Sequence, residues 1–255
     1  MNRSNLCSNL SLLLDRYIGY KQEAQKPWKF QEEQKTELFK KIAKEFEFSD
    51  DLIESNYQRS LAGANSLPHA RTFTASPEWR MVVGLGSASI LETAMTLDRV
   101  TGIPIIPASA LKGLAASYAM LSVLETTQRE EAEKNPDHDF ANIFGTQDQA
   151  GKVIFLDAVA TEAPTLEPDI MNCHYPDYYG GKTPNPTPYQ SPNPVYFLTL
   201  GRKSKFGFAL AGCDSSNSTA ALVRLAEKWL KSGLQELGIG AKTAAGYGYL
   251  EVSES

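Results

Sequence analysis

The chain closes with a glycine-rich run, Gly238-Ile239-Gly240-Ala241-Lys242-Thr243-Ala244-Ala245-Gly246-Tyr247-Gly248-Tyr249-Leu250. A second segment far upstream, Ile105-Ile106-Pro107-Ala108-Ser109-Ala110-Leu111-Lys112-Gly113, shares one property with it. In both segments a lysine stands beside small residues, which let backbone amides approach a bound anion closely. Two such segments in one fold predict a surface that holds a phosphate backbone.

The glycine-rich run does not match the common nucleotide-binding motifs. It has Gly-x-Gly at 238–240 and again at 246–248, but it lacks the Gly-Lys-Ser/Thr and four-residue spacer of a P-loop. Thr243 stands where a dinucleotide fingerprint has its third glycine, and no βαβ unit follows. We therefore predict that Lys242 and Thr243 contact phosphate, with the amides of Gly240 and Ala241 behind them. A long turn before an edge strand is the alternative.

The upstream segment predicts the start of a helix. Ser109 is a residue type that helix N-caps favour, which would place Lys112 at the third helical position. The helix dipole disfavours a cation there, unless an anion lies at the same terminus. Gly113 costs about 1 kcal/mol relative to alanine in a helix, which indicates either tight helix packing or close approach of a ligand. The alternative is a surface lysine beside a packing glycine.

The composition is that of a globular protein with an acidic balance. The 255 residues carry a net charge of −5, with a pI near 5.4, whereas free-standing nucleic-acid binders usually carry a basic surplus. Net charge does not say where the charges lie, so an acidic subunit of a larger assembly can still present a basic strip. Three scattered cysteines predict neither disulfides nor a zinc site. We expect no signal peptide and no membrane span, and therefore a cytoplasmic protein.

The order of predicted elements indicates an α+β fold. Residues 1–66 predict amphipathic helices, and strands and helices alternate after Pro68. Segments with strand character are 71–75, 79–85, 153–156, 195–200, 206–210 and 247–252. Helices are predicted from Ser109, with Leu111, Leu114, Tyr118 and Leu121 on one face, and again before Gly238. This order matches a ferredoxin-like domain over 67–255 with a helical extension over 1–66.

Two features of this order bear on function. We interpret 195–200 and 206–210 as a hairpin whose turn carries Arg202 and Lys203, which either extend an anion-binding path or form a solvated tip. The longest irregular stretch, about 160–194, holds eight of the chain's 14 prolines. A loop of this length in a compact domain is more often functional or ordered by a partner than idle.

The aromatic part of that loop contains Cys173, His174, Tyr175, Tyr178 and Tyr179. Its aromatic rings could stack on unpaired bases or grip a neighbouring subunit. The adjacent Cys173 and His174 cannot easily face one tetrahedral ion, and no histidine of the chain belongs to a recognisable triad. We predict no metal site and no cofactor.

Several of these residues resemble a known family. The segment 105–113 resembles the P-x-S-S-L-K-G signature of the RAMP superfamily of CRISPR-associated proteins, and the run 238–248 resembles the glycine-rich loop that closes those proteins. Three further segments, 9–17, 143–158 and 174–198, are similar to the family of sixth subunits of the type III-B (Cmr) RNA-guided effector complex. Two positions depart from the superfamily pattern: Ala116 stands where an arginine is common, and Ala110 replaces the second serine.

The resemblance implies a non-catalytic backbone subunit with an RRM-like, ferredoxin-like fold and a β-hairpin thumb inserted at about 160–194. It implies binding of guide RNA near its 3′ end, contact with complementary target RNA, and contact with other Cmr subunits, with no role at a membrane. A different subunit cleaves target RNA in that complex. Asp98 and Asp157 match its catalytic aspartate by position only. The predicted RNA-binding residues are Ser109, Lys112, Gly113, Gly240, Lys242, Thr243, Tyr175, Tyr178, Tyr179, Arg202 and Lys203.

Two other functions stay open from the sequence. One is an endoribonuclease on the same fold, with His174 or an aspartate as the working group. The other is an assembly protein that contacts only neighbouring subunits through its acidic surface and N-terminal helices.

Overall fold

The computed structural model describes residues 7–15, 32–123, 132, 135, 138–173, 180–181, 184–185 and 193–253. The helices are α1 (Leu10–Asp15), α2 (Glu32–Glu45), α3 (Asp50–Asn65), α4 (Ala108–Tyr118), α5 (Asp139–Phe144) and α6 (Asn217–Glu236). The strands are β1 (Arg71–Pro77), β2 (Ile105–Ile106), β3 (Val153–Phe155), β4 (Ala158–Ala160), β5 (Leu166–Cys173), β6 (Asn193–Leu200), β7 (Phe206–Gly212) and β8 (Leu250–Ser253). Within these ranges no helix has the length and apolar character needed to cross a membrane.

The main sheet has the order β2-β4-β7-β1-β8, with β3 also paired to β7, and all its strand pairs are antiparallel. The central strand β7 is buried at every residue, because helices cover both faces of the sheet. Its sequence, Phe-Gly-Phe-Ala-Leu-Ala-Gly, alternates large and small side chains. Successive residues of a strand face opposite sides of the sheet, so one face is bulky and the other is nearly flat.

The bulky face packs against α6. Phe208 stacks on Phe73 of β1 with a centroid distance of 4.9 Å, and the ammonium of Lys231 in α6 lies 4.9 Å from the centre of the Phe73 ring. The helix is capped by Ser216, whose hydroxyl accepts a hydrogen bond from the amide of Thr219. It ends before Gly238, which has a φ of +76°. This end is the one that the sequence predicted.

The flat face packs against α3. A Cβ at Gly207 would lie 2.5 Å from the ring of Tyr57 in α3, so the absence of a side chain lets the helix approach the sheet. Ser49 caps α3 by accepting from the amide of Leu52, and Asp50 and Asp51 in its first turn complement the helix dipole. The described helices of the N-terminal region therefore match the prediction. Their residues Leu10, Phe39 and Ile53 share one hydrophobic core with the sheet.

The predicted hairpin of 195–200 with 206–210 is wrong. β6 pairs with β5 in a separate two-stranded sheet, from Leu166 opposite Leu200 to Cys173 opposite Asn193, whereas β7 lies in the main sheet. The proline-rich residues of 160–194 predicted a long loop, whereas Leu166–Cys173 form β5 despite Pro168. Proline is tolerated in a strand that has a free edge, since its missing N–H faces no partner there. Helix α2 packs against both strands of this β5–β6 hairpin.

Three smaller predictions are also corrected. Residues 79–85 do not form a strand of the main sheet but run as an extended connector, with a single bridge between Met81 and Leu200. After α4 the chain continues as a π-helical turn, Ala119–Val123, and the wider turn leaves Leu121 61% exposed instead of on the buried face. The last strand begins at Leu250, because the residues before it belong to the glycine-rich loop.

The close contact of α3 with the sheet predicts a large effect of a side chain at Gly207. Gly207→Val should lower the free energy of unfolding by about 1–3 kcal/mol, because its side chain would overlap the Tyr57 ring. Gly63→Ala in α3 is the control, since a Cβ there meets nothing within 4 Å. The control should be neutral or stabilise by up to about 1 kcal/mol. Denaturant unfolding of both variants checks this, and equal stabilities would contradict it.

Candidate nucleic-acid interface

The glycine-rich loop, defined here as residues 237–249, is folded back on itself. The amide of Ile239 donates to the carbonyl of Gly248 at 2.8 Å. A Cβ at Gly248, whose φ is +76°, would lie 2.0 Å from the Ile239 carbonyl oxygen. Only glycine fits this conformation and this distance, so the closure of the loop depends on Gly248.

The loop is also paired with the connector, defined here as residues 78–83. Gly248 donates to the carbonyl of Arg80 at 2.8 Å, and Ala241 donates to the carbonyl of Val82 at 2.8 Å. A Cβ at Gly240 would lie 2.3 Å from the Val82 oxygen. The prediction that the Ala241 amide binds phosphate is therefore wrong, because Val82 already accepts its hydrogen. Position 240 requires glycine because the backbone of the connector lies too close to admit a side chain.

Lys242 and Thr243 lie at the outer turn of this loop. Lys242 is in the left-handed conformation, with a φ of +63°, and precedes a 3-10 turn at Thr243–Ala245. Its ammonium lies 5.7 Å from the ring centre of Phe197 and 5.8 Å from that of Tyr247. Within the described part of the chain no carboxylate pairs with it. The two aromatic rings therefore position the ammonium, and its charge is available to an anion.

Beside Lys242, a partly buried ionic network joins the loop to the β5–β6 hairpin. Arg80 donates from Nε to Glu167 at 2.7 Å and from Nη1 to Asp169 at 2.5 Å. The Tyr247 hydroxyl donates to the same oxygen of Asp169 at 2.6 Å. Phe197, Val82, Leu85 and Tyr247 form a second small hydrophobic cluster next to this network. Sequence reasoning missed Arg80 and Asp169. The available signal was Arg80 itself, a charged residue within the otherwise apolar stretch 79–85.

The network shifts the pKa values of its members. Burial opposes ionisation of Asp169, but hydrogen bonds from Tyr247, the Ile170 amide and Arg80 together hold its pKa below the ordinary value. Burial, followed by the hydrogen bond to Asp169 and its charge, raises the pKa of Tyr247 to about 12. At neutral pH the carboxylate is therefore ionised and the phenol is protonated, as the hydrogen bond requires.

The start of α4 differs from the prediction. The helix begins at Ala108, with Pro107 as its N-cap, so Ser109 is not the cap and makes no capping hydrogen bond. The carboxylate of Asp157 accepts from the Ala108 amide at 2.6 Å. The anion that balances this helix start is therefore the protein's own aspartate, and Lys112 lies further into the helix than expected.

The other predicted residues of α4 remain accessible. Ser109 and Gly113 are exposed, and Lys112 is half-buried with no carboxylate partner among the described residues. A Cβ at Gly113 would meet nothing within 4 Å, so the packing explanation for this glycine is wrong. Its exposed position leaves room for close approach of a ligand.

A ladder of backbone hydrogen bonds joins the two segments. Ala241 bonds to Val82, Thr96 donates to Val83 at 2.8 Å, and Ile105 donates to Thr96 at 3.2 Å. Since paired backbones lie about 4.8 Å apart, three steps put Ala241 and Ile105 roughly 15 Å from each other. The connector and Thr96 therefore link the glycine-rich loop to the strand that precedes α4, while the binding of phosphate by the two segments stays a prediction.

Arg202 and Lys203 lie in a chain segment that begins close to the glycine-rich loop. They are exposed in the link from β6 to β7, and not at the tip of a hairpin. Leu200 exchanges backbone hydrogen bonds with Met81 of the connector, at 2.8 and 2.9 Å, so the link begins beside the glycine-rich loop. Tyr175, Tyr178, Tyr179 and His174 lie outside the described residues, and their predicted roles stay predictions.

The two positional candidates for a catalytic aspartate have structural partners. Asp98 Oδ1 accepts from the amides of Val100 and Thr101 and from the Thr101 hydroxyl, and Asp157 caps α4. Burial opposes ionisation of Asp98, but these hydrogen bonds hold its pKa below the ordinary value. Among the residues that the structure describes, no three His, Cys, Asp or Glu side chains cluster as a metal site.

Comparison with known proteins gives consistent matches. The family model of the RAMP superfamily matches residues 79–251. The chain is 32% identical over 253 aligned residues to the CRISPR system Cmr subunit Cmr6 of Pyrococcus furiosus, covering 78% of this chain and 73% of that protein. It is 23% identical to the Cmr6 subunit of Saccharolobus solfataricus, covering 87% of this chain and 74% of that protein. A chain in the cryo-EM structure of a type III-B Cmr-beta complex bound to cognate target RNA shares the fold, with a TM-score of 0.64, 22% identity, and coverage of 86% and 71% of the two chains.

The pairing of loop and connector predicts unequal effects at two glycines. Gly240 and Gly246 have φ values of +91° and +89°, so alanine carries a similar backbone strain at both. Only at Gly240 would the new Cβ also meet a backbone atom, the Val82 oxygen, whereas nothing lies within 4 Å at Gly246. Gly240→Ala should therefore lower the free energy of unfolding by about 1–3 kcal/mol more than Gly246→Ala. Equal losses in denaturant unfolding would show that the connector does not constrain the loop.

The pair of Asp169 and Tyr247 predicts a dependence of stability on pH. The pKa of Tyr247 is raised from 10.0 to about 12, so its contribution is complete below pH 10 and is lost as pH rises towards 12. The pKa of Asp169 is lowered from 3.8, so its contribution is present above that pH and is lost as pH falls below it. Tyr247→Phe should lose less stability than the wild type between pH 10 and 12. Tyr249→Phe is the matched control and should follow the wild type in the same titration.

Proposed function

This chain belongs to the RAMP superfamily and to its Cmr6 family, and we propose that it is a non-catalytic, RNA-binding subunit of a type III-B CRISPR effector complex. In this role it holds guide RNA near the 3′ end of the guide, beside the complementary target RNA and the neighbouring subunits, in the cytoplasm. The observation that carries the proposal is the surface bordered by the glycine-rich loop and the start of α4. Both segments present lysines, and one ladder of backbone hydrogen bonds joins them.

The distribution of ion pairs supports RNA binding by an acidic protein. Some cations of the chain are held in ion pairs: Arg71 bonds to Glu227 at 2.7 Å, and Lys205 lies 3.8 Å from Glu162. Lys112, Arg202, Lys203 and Lys242 have no carboxylate partner in the described ranges. A phosphate backbone that approaches this surface therefore displaces no ion pair. Phosphate contacts of this kind carry no sequence information, which suits a protein that accepts any guide.

The covered sheet supports binding at the loops. An RRM binds bases on the exposed face of its sheet. Here α3 lies on the flat face of the sheet and α6 on the bulky face. The edge formed by the glycine-rich loop, the connector and the start of α4 is therefore the place that we assign to RNA.

The topology supports the finer fold assignment. Taking β1, then β3 with β4, then β7, then β8 as the four strands, the sheet order corresponds to that of a ferredoxin-like domain, with α4 and α6 as its two helices. The β5–β6 hairpin lies between β4 and β7 in the chain, and we propose that it is the base of the thumb. Arg80 fixes this hairpin to the glycine-rich loop through Glu167 and Asp169.

The non-catalytic role is supported by the engagement of both candidate aspartates. Asp98 holds its own turn through three hydrogen bonds on one oxygen, and Asp157 holds the start of α4. A general base needs a carboxylate within reach of the substrate proton, with an environment that tunes its pKa towards neutrality. The environment of Asp98 lowers its pKa instead.

The test is RNA binding by the full chain at several salt concentrations. Each phosphate contact on single-stranded RNA contributes about 0.7 to the slope of log affinity against log salt, so Lys112→Ala with Lys242→Ala should reduce the slope by about 1.4. The matched control is Lys40→Ala with Lys228→Ala, which removes the same charge from exposed positions on α2 and α6. The control should keep the wild-type slope.

Three other outcomes would contradict parts of the proposal. Equal slopes for the two double variants would show that Lys112 and Lys242 do not contact phosphate. RNA cleavage by the purified chain, lost in Asp98→Asn or in His174→Ala, would show an endoribonuclease. Normal assembly of the complex, with no RNA binding by the chain and no RNA crosslinks to it in the complex, would show a purely structural subunit.

A further inference from the structure

The connector carries an exposed aromatic side chain, Trp79, for which phosphate binding gives no reason. Its side chain is 48% exposed, whereas Trp229 in the core is 5% exposed. An indole left half in water at the border of a cationic surface loses the hydrophobic stabilisation that burial would supply. An exposed large aromatic side chain indicates a binding role when the structure also holds it in a fixed position.

The structure does hold the indole rigidly. Its ring centre lies 4.9 Å from that of Tyr247, and the guanidinium carbon of Arg80 lies 5.1 Å from it. Tyr247 and Arg80 are both hydrogen-bonded to Asp169, so the groups that support the indole are themselves fixed. The backbone is held on either side, since Glu78 donates to Tyr249 at 2.9 Å and Arg80 accepts from Gly248 at 2.8 Å.

The same tyrosine links the indole to the phosphate-binding lysine. The Tyr247 ring contacts Trp79 and also the ammonium of Lys242, whose nitrogen is 5.8 Å from its centre. Proteins that bind single-stranded RNA hold a nucleotide by two kinds of contact: a cation binds its phosphate, and an aromatic side chain stacks on its base. Here the cation is Lys242 and the aromatic side chain is Trp79, and both contact the ring of Tyr247.

We infer that Trp79 is a stacking platform for an unpaired base of the RNA whose phosphates Lys242 holds. The inference rests on the proposed function and adds a base contact to it. Every base has a π face, so stacking tolerates any sequence, as binding of a guide requires. The hydrogen-bonded Asp169, Arg80 and Tyr247 act as positioning residues behind the platform and do not touch the base.

The test compares Trp79→Ala with Trp79→Phe in the full chain, using fluorescence anisotropy with single-stranded oligoadenylate and with an abasic strand of the same length. Loss of one stacked base weakens binding about 5- to 150-fold, so Trp79→Ala should bind oligoadenylate weaker by a factor in this range. Trp79→Phe should stay within a few-fold of the wild type, because a smaller aromatic face remains. Ile90→Ala, at a side chain that is 50% exposed and outside the platform, is the control.

Two further readouts separate stacking from charge and from misfolding. Trp79→Ala should leave the salt slope unchanged, whereas Lys242→Ala should reduce it by about 0.7. The abasic strand should bind the wild type and Trp79→Ala equally. Denaturant unfolding of each variant shows whether it is folded. If Trp79→Ala is destabilised, the decisive comparison is the affinity of the wild type and of Trp79→Leu for oligoadenylate and for the abasic strand.

The remaining outcomes overturn the inference in distinguishable ways. Salt-dependent, lysine-dependent binding that is indifferent to Trp79 and to the missing base would remove the platform and leave the proposed function standing. Absence of RNA binding by the chain and of RNA crosslinks to it in the assembled complex would remove both. Unchanged RNA affinity with failed assembly of the complex in Trp79→Ala would show that a protein partner covers the indole.

Discussion

The pairing of the connector with the glycine-rich loop is the constraint on which the candidate interface depends. Two amides, from Ala241 and Gly248, donate to carbonyls of Val82 and Arg80, and this is possible only because Gly240 and Gly248 bring no Cβ to the contact. The connector in turn pairs with Leu200 at the end of the β5–β6 hairpin and with Thr96, which leads to β2 and α4. Displacing it would separate the loop, the hairpin and the helix start at once. The glycines therefore shape the surface by admitting backbone, and lysines supply its charge.

Charge placement reconciles an acidic protein with RNA. The net charge of −5 is a property of the whole chain, whereas binding depends on the potential at one edge. At that edge the carboxylates are engaged inward: Glu167 and Asp169 bind Arg80, and Asp157 caps α4. These three acidic groups thus satisfy donors of the protein. Among the residues that the structure describes, no carboxylate pairs with Lys112, Arg202, Lys203 or Lys242, which leaves their charge to a phosphate.

Sequence reasoning succeeded where local chemistry decides the structure and failed where distant partners decide it. The end of α6 at Gly238 follows from the need for a positive φ, which glycine signals directly. The partner of β6 could not be predicted, because adjacency in the chain favoured β7 and the eight prolines of 160–194 indicated a loop where β5 lies. The cap of α4 was misplaced because Asp157 supplies the anion from another part of the chain. Arg80 and Asp169 meet only after the hairpin folds onto the connector, so no spacing in the sequence reveals their pair.

The covered sheet explains why the interface lies on loops. With Tyr57 of α3 against Gly207, no side chain of β7 is left to stack on a base, and recognition must move to the edge where strands end. Loop residues there are held by backbone hydrogen bonds and one partly buried ionic network, so the surface is rigid although it contains little regular structure. Rigidity matters because a pre-organised site loses little conformational entropy on binding. An edge that offers phosphate contacts and one aromatic face accepts any base at that position, which is the property that a carrier of variable guide RNA needs.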